Sequence, residues 1–425
     1  MRLRAVLLAL TIMMISRVAH AGDITAGPMI GHVTDKSARV WMQIAVAKQV
    51  TITCYEASKG QEVSSLTQDV EGPWPFICDL PVSNLSANTT YRIEVKLDGE
   101  PVDVPGPSVV IRTTPPPGDE ATFTVAFGSS ITGPDTAGLF KAVKAVGPRT
   151  FLFLGDNGTL PAKLEEFPTT RRATFRYIAE MDSKVRKMPE LQDLLRTTAC
   201  YGIWGEHDFG ANNADKDWIF AKESQAAFIR FWANPDWGTP ENPGCYFSFT
   251  MGDADFFMLD ARMYRDPPGG KTMLGKDQLD WLKKSLKEST ATFKVIGCAN
   301  RMLANDAGPD EWSQYPEQKE FLKWLADNQI QGVMFISGGG TARHYGELTT
   351  IKSAAGPLLE LTSAGLTGKT DDAIADNPNR SGQPVTTNNF ATLDFTGERA
   401  HRFVRLRLYD AGGKVQLEQT VFVTR

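Results

Sequence analysis

The chain has 425 residues, 42% of them hydrophobic and 22% charged, with a formal charge of −5 at neutral pH. That balance excludes a disordered chain, a collagen-like repeat and a coiled-coil rod, and the length suits two or three folded units. With five cysteines and five histidines, a histidine-rich metal centre would need nearly every imidazole in the chain.

The first residues form a targeting pattern. Arg2 and Arg4 precede an apolar run from Ala5 to Ser16, and Ala19-His20-Ala21 supplies the small residues of a cleavage site. Residues 1–21 are therefore expected to be a signal peptide that directs the protein to a secreted or periplasmic location; an uncleaved N-terminal anchor is the alternative. Leu3 separates the two arginines, so the segment is not a twin-arginine signal. Three arginines and no acid leave with it, which takes the charge from −5 to −8. An acidic surface argues against nucleic acid as a partner. No later stretch approaches the length of a membrane helix. Nothing in the sequence sets an oligomeric state.

Residues 22–114 read as an all-β module. Thr90–Leu97 alternates strictly, with Tyr91, Ile93, Val95 and Leu97 on one face. Ser37–Ile44, Val50–Tyr55 and Val109–Thr113 supply further strands, and Trp41 is expected at the module's core. Cys54 and Cys78 lie in neighbouring strand-like stretches and could pair, although five widely spaced cysteines describe no disulfide framework. His32 is expected to be structural or exposed. Pro115-Pro116-Pro117-Gly118 marks a stiff linker over residues 115–120.

From residue 121 to 425 strands alternate with helices. Thr122–Phe127, a helical segment Thr136–Val146 and Thr150–Leu154 read as a βαβ unit. The cluster Arg171, Arg172, Arg176, Lys184, Arg186 and Lys187 reads as a solvated helix face. Cys200–Trp204, Tyr246–Thr250, Asp255–Leu259, Phe293–Cys298 and Val333–Ile336 are strand candidates, and Lys276–Lys287 is an amphipathic helix. Phe390–Phe395, Arg402–Tyr409 and Val415–Val423 close the chain with strands, and His401 is expected to be structural.

Three polar clusters follow strands, where α/β sheets place their ligand sites. Leu154-Gly155-Asp156-Asn157 sets a carboxylate on a tight turn. Trp204-Gly205-Glu206-His207-Asp208, followed by Asn212 and Asn213, sets an imidazole between two acids, one able to bind a metal and the other to fix the ring tautomer. Ile336-Ser337-Gly338-Gly339-Gly340-Thr341-Ala342-Arg343-His344 combines glycines that admit an anion with a cation and a ligand nitrogen.

Six stretches, taken in order, resemble secreted alkaline phosphatase D-like (PhoD-like) metallophosphatases. They are Gly27–Thr34, Phe127-Gly128-Ser129-Ser130, Phe151–Asn157, Trp204–Gly210, Met258-Leu259-Asp260-Ala261-Arg262 and Met273–Gln278. Leu85–Tyr91 likewise resembles the tyrosine corner of fibronectin type III sandwiches. The resemblance implies a four-layer α/β/β/α domain behind a small fibronectin- or Ig-like β-sandwich. It also implies hydrolysis of phosphate mono- or diesters by metal-assisted chemistry. Asp156, Asn157, Glu206, Asn212 and His344 would be metal ligands. His207 would assist the leaving oxygen, Asp208 would orient His207, and Arg262 and Arg343 would contact a small phosphoester substrate.

The chain departs from the family pattern at the ligands. Ser130 stands where the family has a thiolate, Thr159 where it has a tyrosinate, Gly205 where it has a carboxylate, and the late Asp is missing from the glycine loop. These losses argue against a complete iron–calcium centre, and the oxygen-rich remainder suits a divalent ion, either Ca²⁺ or a single Zn²⁺ or Mn²⁺. Two functions follow as expectations: an exported phosphoesterase with an altered metal site, or a catalytically impaired exported binding protein on the same scaffold. A serine-dependent ester hydrolase is weaker, because no Gly-x-Ser-x-Gly elbow is present.

Overall fold

Alternating and doubly apolar strands account for most of the architecture. The computed structural model describes residues 24–423, apart from 46, 73, 103–105, 306–310, 340–343, 354–355, 372–373 and 399–400. The expected signal segment and Arg343 lie outside the described residues.

The N-terminal strands are β1 (Ile24–Val33), β2 (Ala38–Ile44), β3 (Gln49–Glu56), β4 (Gln61–Asp69), β5 (Ile77–Val82), β6 (Thr90–Leu97), β7 (Glu100–Pro101) and β8 (Val109–Arg112). They form a three-stranded sheet, β1-β2-β5, and a five-stranded sheet, β4-β3-β6-β7 with β8 on β6. Along β6 the odd positions are buried, as period-two alternation requires. The Tyr91 hydroxyl accepts the Ser86 N–H at 2.8 Å and so pins the corner.

Two expectations fail in this module. Val40 and Met42 face the sandwich core, which turns Trp41, on the opposite face of β2, away from it. Trp41 Nε1 donates to the Arg230 carbonyl at 2.7 Å, and its ring packs on Phe231 of the following α/β region. Cys54 and Cys78 are free and buried, one in each sheet.

The chain then runs through β9 (Phe123–Ile131), α1 (Leu139–Val146), β10 (Thr150–Leu154), α2 (Arg171–Arg186), α3 (Pro189–Thr197), β11 (Ala199–Ile203), α4 (Glu206–Phe209) and α5 (Ala221–Phe231). Helix α1 starts later than its periodicity suggests, because the Asp135 carboxylate accepts the Leu139 and Phe140 N–H groups from outside the first turn. Next come β12 (Phe247–Met251), β13 (Ala254–Met258), α6 (Lys276–Glu288), β14 (Phe293–Cys298), α7 (Pro316–Asp327) and β15 (Val333–Ser337). The last strands are β16 (Gly346–Ser353), β17 (Gly356–Thr362), β18 (Ala364–Thr367), β19 (Arg380–Val385), β20 (Asn389–Thr396), β21 (Phe403–Asp410) and β22 (Val415–Phe422).

These strands build two seven-stranded sheets, one ordered β11-β10-β9-β20-β21-β22 with β18 on β9, the other β12-β13-β14-β15-β17-β16-β19. The cores show how they stack. In β10, Leu152 and Leu154 face the inter-sheet core while Phe151 and Phe153 face helices α1, α2, α3 and α5. In β14, Phe293 and Val295 face inward while Ile296 and Cys298 face α6 and α7. The result is the four-layer α/β/β/α arrangement. Asp253, at the β12–β13 turn, and Arg402, before β21, pair across the sheets at 2.6 and 2.9 Å, both fully buried.

The basic cluster on α2 is only partly solvated. Arg171 and Arg176 are exposed and pair with Glu223 and Glu180. Arg186 is buried instead, its guanidinium 3.9 Å from the Trp232 ring centroid and its Nε donating to the Phe231 carbonyl. His32 packs edge-on to Tyr201, with Nδ1 3.1 Å from the tyrosine hydroxyl. His401 is exposed, contrary to the structural role expected for it.

Candidate functional site

Strands β9, β10 and β11 are parallel neighbours, so their C-terminal ends share one edge of the sheet. The turns after them interlock. Ser130 N donates to the Gly155 carbonyl and Ile131 N to the Asp156 carbonyl, at 3.1 and 2.8 Å. A Cβ on Gly155 would meet the Ala299 side chain and the Gly205 backbone within 2.8 Å. A Cβ on Gly338 would meet the Leu154 and Ala299 carbonyls, so the turns after β14 and β15 close against the same edge. Ser130 (φ 68) and Asp156 (φ 51) both hold left-handed backbone, a conformation costing about 1–2 kcal/mol for a residue with a Cβ.

Asp156 and His207 meet at this edge. The His207 N–H donates to Asp156 Oδ1 at 3.0 Å. The ring is half-buried, and its Nδ1 has no hydrogen-bond partner among the described residues. Asp208 was expected to orient that ring, but its carboxylate turns the other way. It accepts the Gly205 N–H at 2.8 Å, the Asn157 N–H at 2.9 Å and the Asn157 side-chain amide at 3.2 Å. Burial, and then the Asp156 charge, push the Asp208 carboxyl well above the usual range, while the Gly205 and Asn157 amides pull it back. The Asn157 amide nitrogen also donates to the Ile203 carbonyl at 2.9 Å, which directs its oxygen away from that backbone.

The structure pairs Glu206, an expected metal ligand, with Arg262, an expected substrate contact. Arg262 Nη1 lies 3.2 Å from Glu206 Oε2, with the two side chains 0% and 2% exposed. Arg262 is fixed from below by Asp260, whose Oδ1 accepts the Arg262 N–H at 2.9 Å and the Trp204 Nε1–H at 2.6 Å. Cys245 N, Met263 N and the Gln278 side chain complete the frame around Asp260. The sequence contained Asp260 within a family stretch but gave it no role.

The other predicted residues are held by other partners. His344 is buried and bound to Asp371, its N–H donating to Asp371 Oδ2 at 2.7 Å and its Nδ1 3.2 Å from the same oxygen. Nothing in the sequence pointed to Asp371. The His344 N–H, ring and charge hold its carboxyl below the usual range against an opposing burial effect. Asn212 is exposed, and its N–H is bonded to the Ala162 carbonyl. Thr159 is exposed, and Ser130 is buried against Ser129 Oγ at 3.3 Å. Among the described residues no three His, Cys, Asp or Glu side chains gather around a common point suited to a metal ion. With Glu206 neutralised by Arg262, Asp208 taken by amides and His344 by Asp371, the implied metal centre does not fit this donor set.

Comparison with known proteins follows the same lines. Residues 204–411 match the family described as PhoD-like phosphatase, and residues 21–114 match a domain of unknown function, DUF7800. Alkaline phosphatase D of Bacillus subtilis (strain 168) is 31% identical over 118 residues, which is 22% of this chain and 20% of that protein. The matched stretch thus spans about a fifth of that relative's length. A solved structure of PhoD superposes with a TM-score of 0.75 at 16% identity, covering 93% of this chain and 92% of that one. The purple acid phosphatase PPD1 from yellow lupin (Lupinus luteus) seeds superposes with a TM-score of 0.65 at 12% identity, covering 93% of this chain and 74% of that one. At these identities the two superpositions speak for the fold.

Proposed function

Because the chain belongs to the PhoD-like phosphatase family, we propose that it is a phosphoesterase acting on small phosphate mono- or diesters at the edge where β9, β10 and β11 end. The observation that carries this reading is His207, a half-buried imidazole on the strand-end turn whose backbone N–H is held by Asp156 and whose Nδ1 has no hydrogen-bond partner among the described residues. An imidazole there can give a proton to the leaving oxygen as the P–O bond breaks, a step worth about 10²–10⁴ in rate. Water supplies the incoming oxygen, and the proton it loses as the new P–O bond forms passes to solvent, from which the imidazole is reprotonated. Asp156 fixes the His207 backbone, and Asp208 locks the turn from beneath through Gly205 and Asn157. No step is assigned to a metal ion, because the implied ligands Glu206 and His344 are engaged by Arg262 and Asp371.

Export is part of the proposal. It rests on the basic, apolar and small-residue pattern of residues 1–21. Among the described residues no helix is long and apolar enough to cross a membrane.

The test is phosphate or alcohol release from a panel of mono- and diesters by the purified full chain. Release above the uncatalysed rate from at least one ester supports the reading. Binding of the same esters without any turnover would overturn it in favour of a binding protein.

A further inference from the structure

The outer strand of a sheet offers a row of N–H and C=O groups to any other strand, and folded chains cover or blunt such edges. Among the described residues the two large sheets end on β11, β22, β12 and β19. β11 is covered by β1 of the N-terminal module, β12 has only five residues, and β19 carries Pro384 and a left-handed Gly382 (φ 79). β22 differs. No described strand pairs with its outer side, and Val415–Phe422 contains neither proline nor lysine. We propose that β22 pairs antiparallel with β22 of a second copy of this chain, about a two-fold axis at Gln419, so that one sheet runs through both molecules.

The side chains select both the partner and the register. Residues opposite each other in an antiparallel pair share one face of the sheet, so a two-fold pairing of identical strands must centre on a residue. Centred on Gln419, it sets Leu417 against Val421 of the partner subunit, and Val421 against Leu417 of the partner subunit. Both are half-buried against the inter-sheet core and would be covered further. On the other face Glu418 meets Thr420 of the partner subunit, a carboxylate opposite a hydroxyl that can donate to it. Gln419 meets its own copy, and two amides donate and accept reciprocally. The neighbouring registers are worse. Centring on Glu418 sets two carboxylates face to face, and centring on Thr420 sets Glu418 against Phe422 and Gln419 against Val421. Glu418 is the one charged residue of the strand, and Arg407 Nε of β21 donates to it at 2.7 Å. The register shift against β21 falls between Leu408 and Tyr409, which leaves Leu417–Phe422 a regular ladder. Val415 and Phe422, 40% and 70% exposed, put large apolar side chains at both ends of the same strand. The pairing concerns assembly and stands whether or not the protein hydrolyses phosphoesters.

Sedimentation velocity of the purified chain from about 1 to 100 μM tests the pairing, with disulfide capture as the probe of register. A dimer should form within that range. Gln419→Lys sets two like charges face to face and should raise the dissociation constant by about tenfold or more, with an unchanged circular dichroism spectrum. Gln419→Cys brings two Cα atoms to about 4.5–5.5 Å, within disulfide reach, whereas Thr420→Cys leaves them about 8 Å apart. The five native cysteines are free and buried, so cross-linking under mild oxidation reports the introduced thiol. A covalent dimer should form from Gln419→Cys and not from Thr420→Cys. Three results would overturn the proposal. The first is a monomer throughout the range, which would leave the edge to a strand of another protein. The second is a dimer that Gln419→Lys leaves as tight as wild type, and the third is cross-linking as efficient at Thr420→Cys as at Gln419→Cys. Should Gln419→Lys not fold, wild-type sedimentation and the two cysteine variants decide alone.

Discussion

Replacing Gly205 by alanine probes the closest contact in the site. Gly205 has φ −102 and ψ −161, a backbone that alanine adopts freely, so the substitution carries no conformational penalty. By stiffening the unfolded chain it should even favour folding by about 0.4–1 kcal/mol. The cost is steric. The new methyl would fall on Asp156 Oδ1, within 2.6 Å of the Asp156 nitrogen and 3.0 Å of its Cγ. None of these atoms can retreat. The oxygen is held by the His207 N–H, the nitrogen is main chain, and Gly155 is itself closed in by Gly205 and Ala299. Overpacking of this kind costs about 1–3 kcal/mol, which outweighs the gain and leaves a net destabilisation of up to about 2.6 kcal/mol. Urea unfolding of wild type and Gly205→Ala measures it directly, and phosphoester turnover should fall because Asp156 and His207 move together. A Gly205→Ala protein as stable and as active as wild type would refute the interlocked turns.

Further outcomes follow from buried charge. Burial, reinforced by Arg39, lowers the His32 pKa to about 4 from the usual 6.5. Between those values the unfolded chain binds a proton that the folded one refuses, so stability present above pH 6.5 is lost as pH falls towards 4, by roughly 3 kcal/mol; urea midpoints across that range should show the slope, and His32→Gln should flatten it. Asp182 behaves in the opposite sense. Burial raises its carboxyl to about 7 against the pull of Arg186, so its contribution fades as pH rises from about 4 through 7, and Asp182→Asn should remove that loss in the same titration. Arg402→Met strands the buried Asp253 and should cost about 3–5 kcal/mol in urea unfolding, far more than Arg176→Met at an exposed pair.

How much of this was legible in the sequence depended on distance along the chain. The run Thr150–Leu154 announces a strand buried on both faces, and the structure distributes its side chains between two cores. Trp41 shows the limit of periodicity. Alternation assigns it to the face opposite Val40 and Met42, but does not say which face meets the sandwich and which meets α5. Within the site, the order of motifs gave the strand-end turns, and Asp208 three residues after Gly205 is a helix-capping spacing that could have been read as such. The partners of Glu206 and His344 could not. Arg262 and Asp371 reach them only through the folding of β13 and of the segment after β18, and short-range spacing carries no trace of either contact.

Phosphoester hydrolysis at the strand ends is expected to run through His207. Its most direct test is turnover of the best ester by His207→Ala, measured beside the urea midpoint of the same preparation. The expected result is a fall of about 10²–10⁴ in rate with an unchanged midpoint, since the ring nitrogen Nδ1 has no hydrogen-bond partner among the described residues to lose. Equal turnover by wild type and His207→Ala would contradict it.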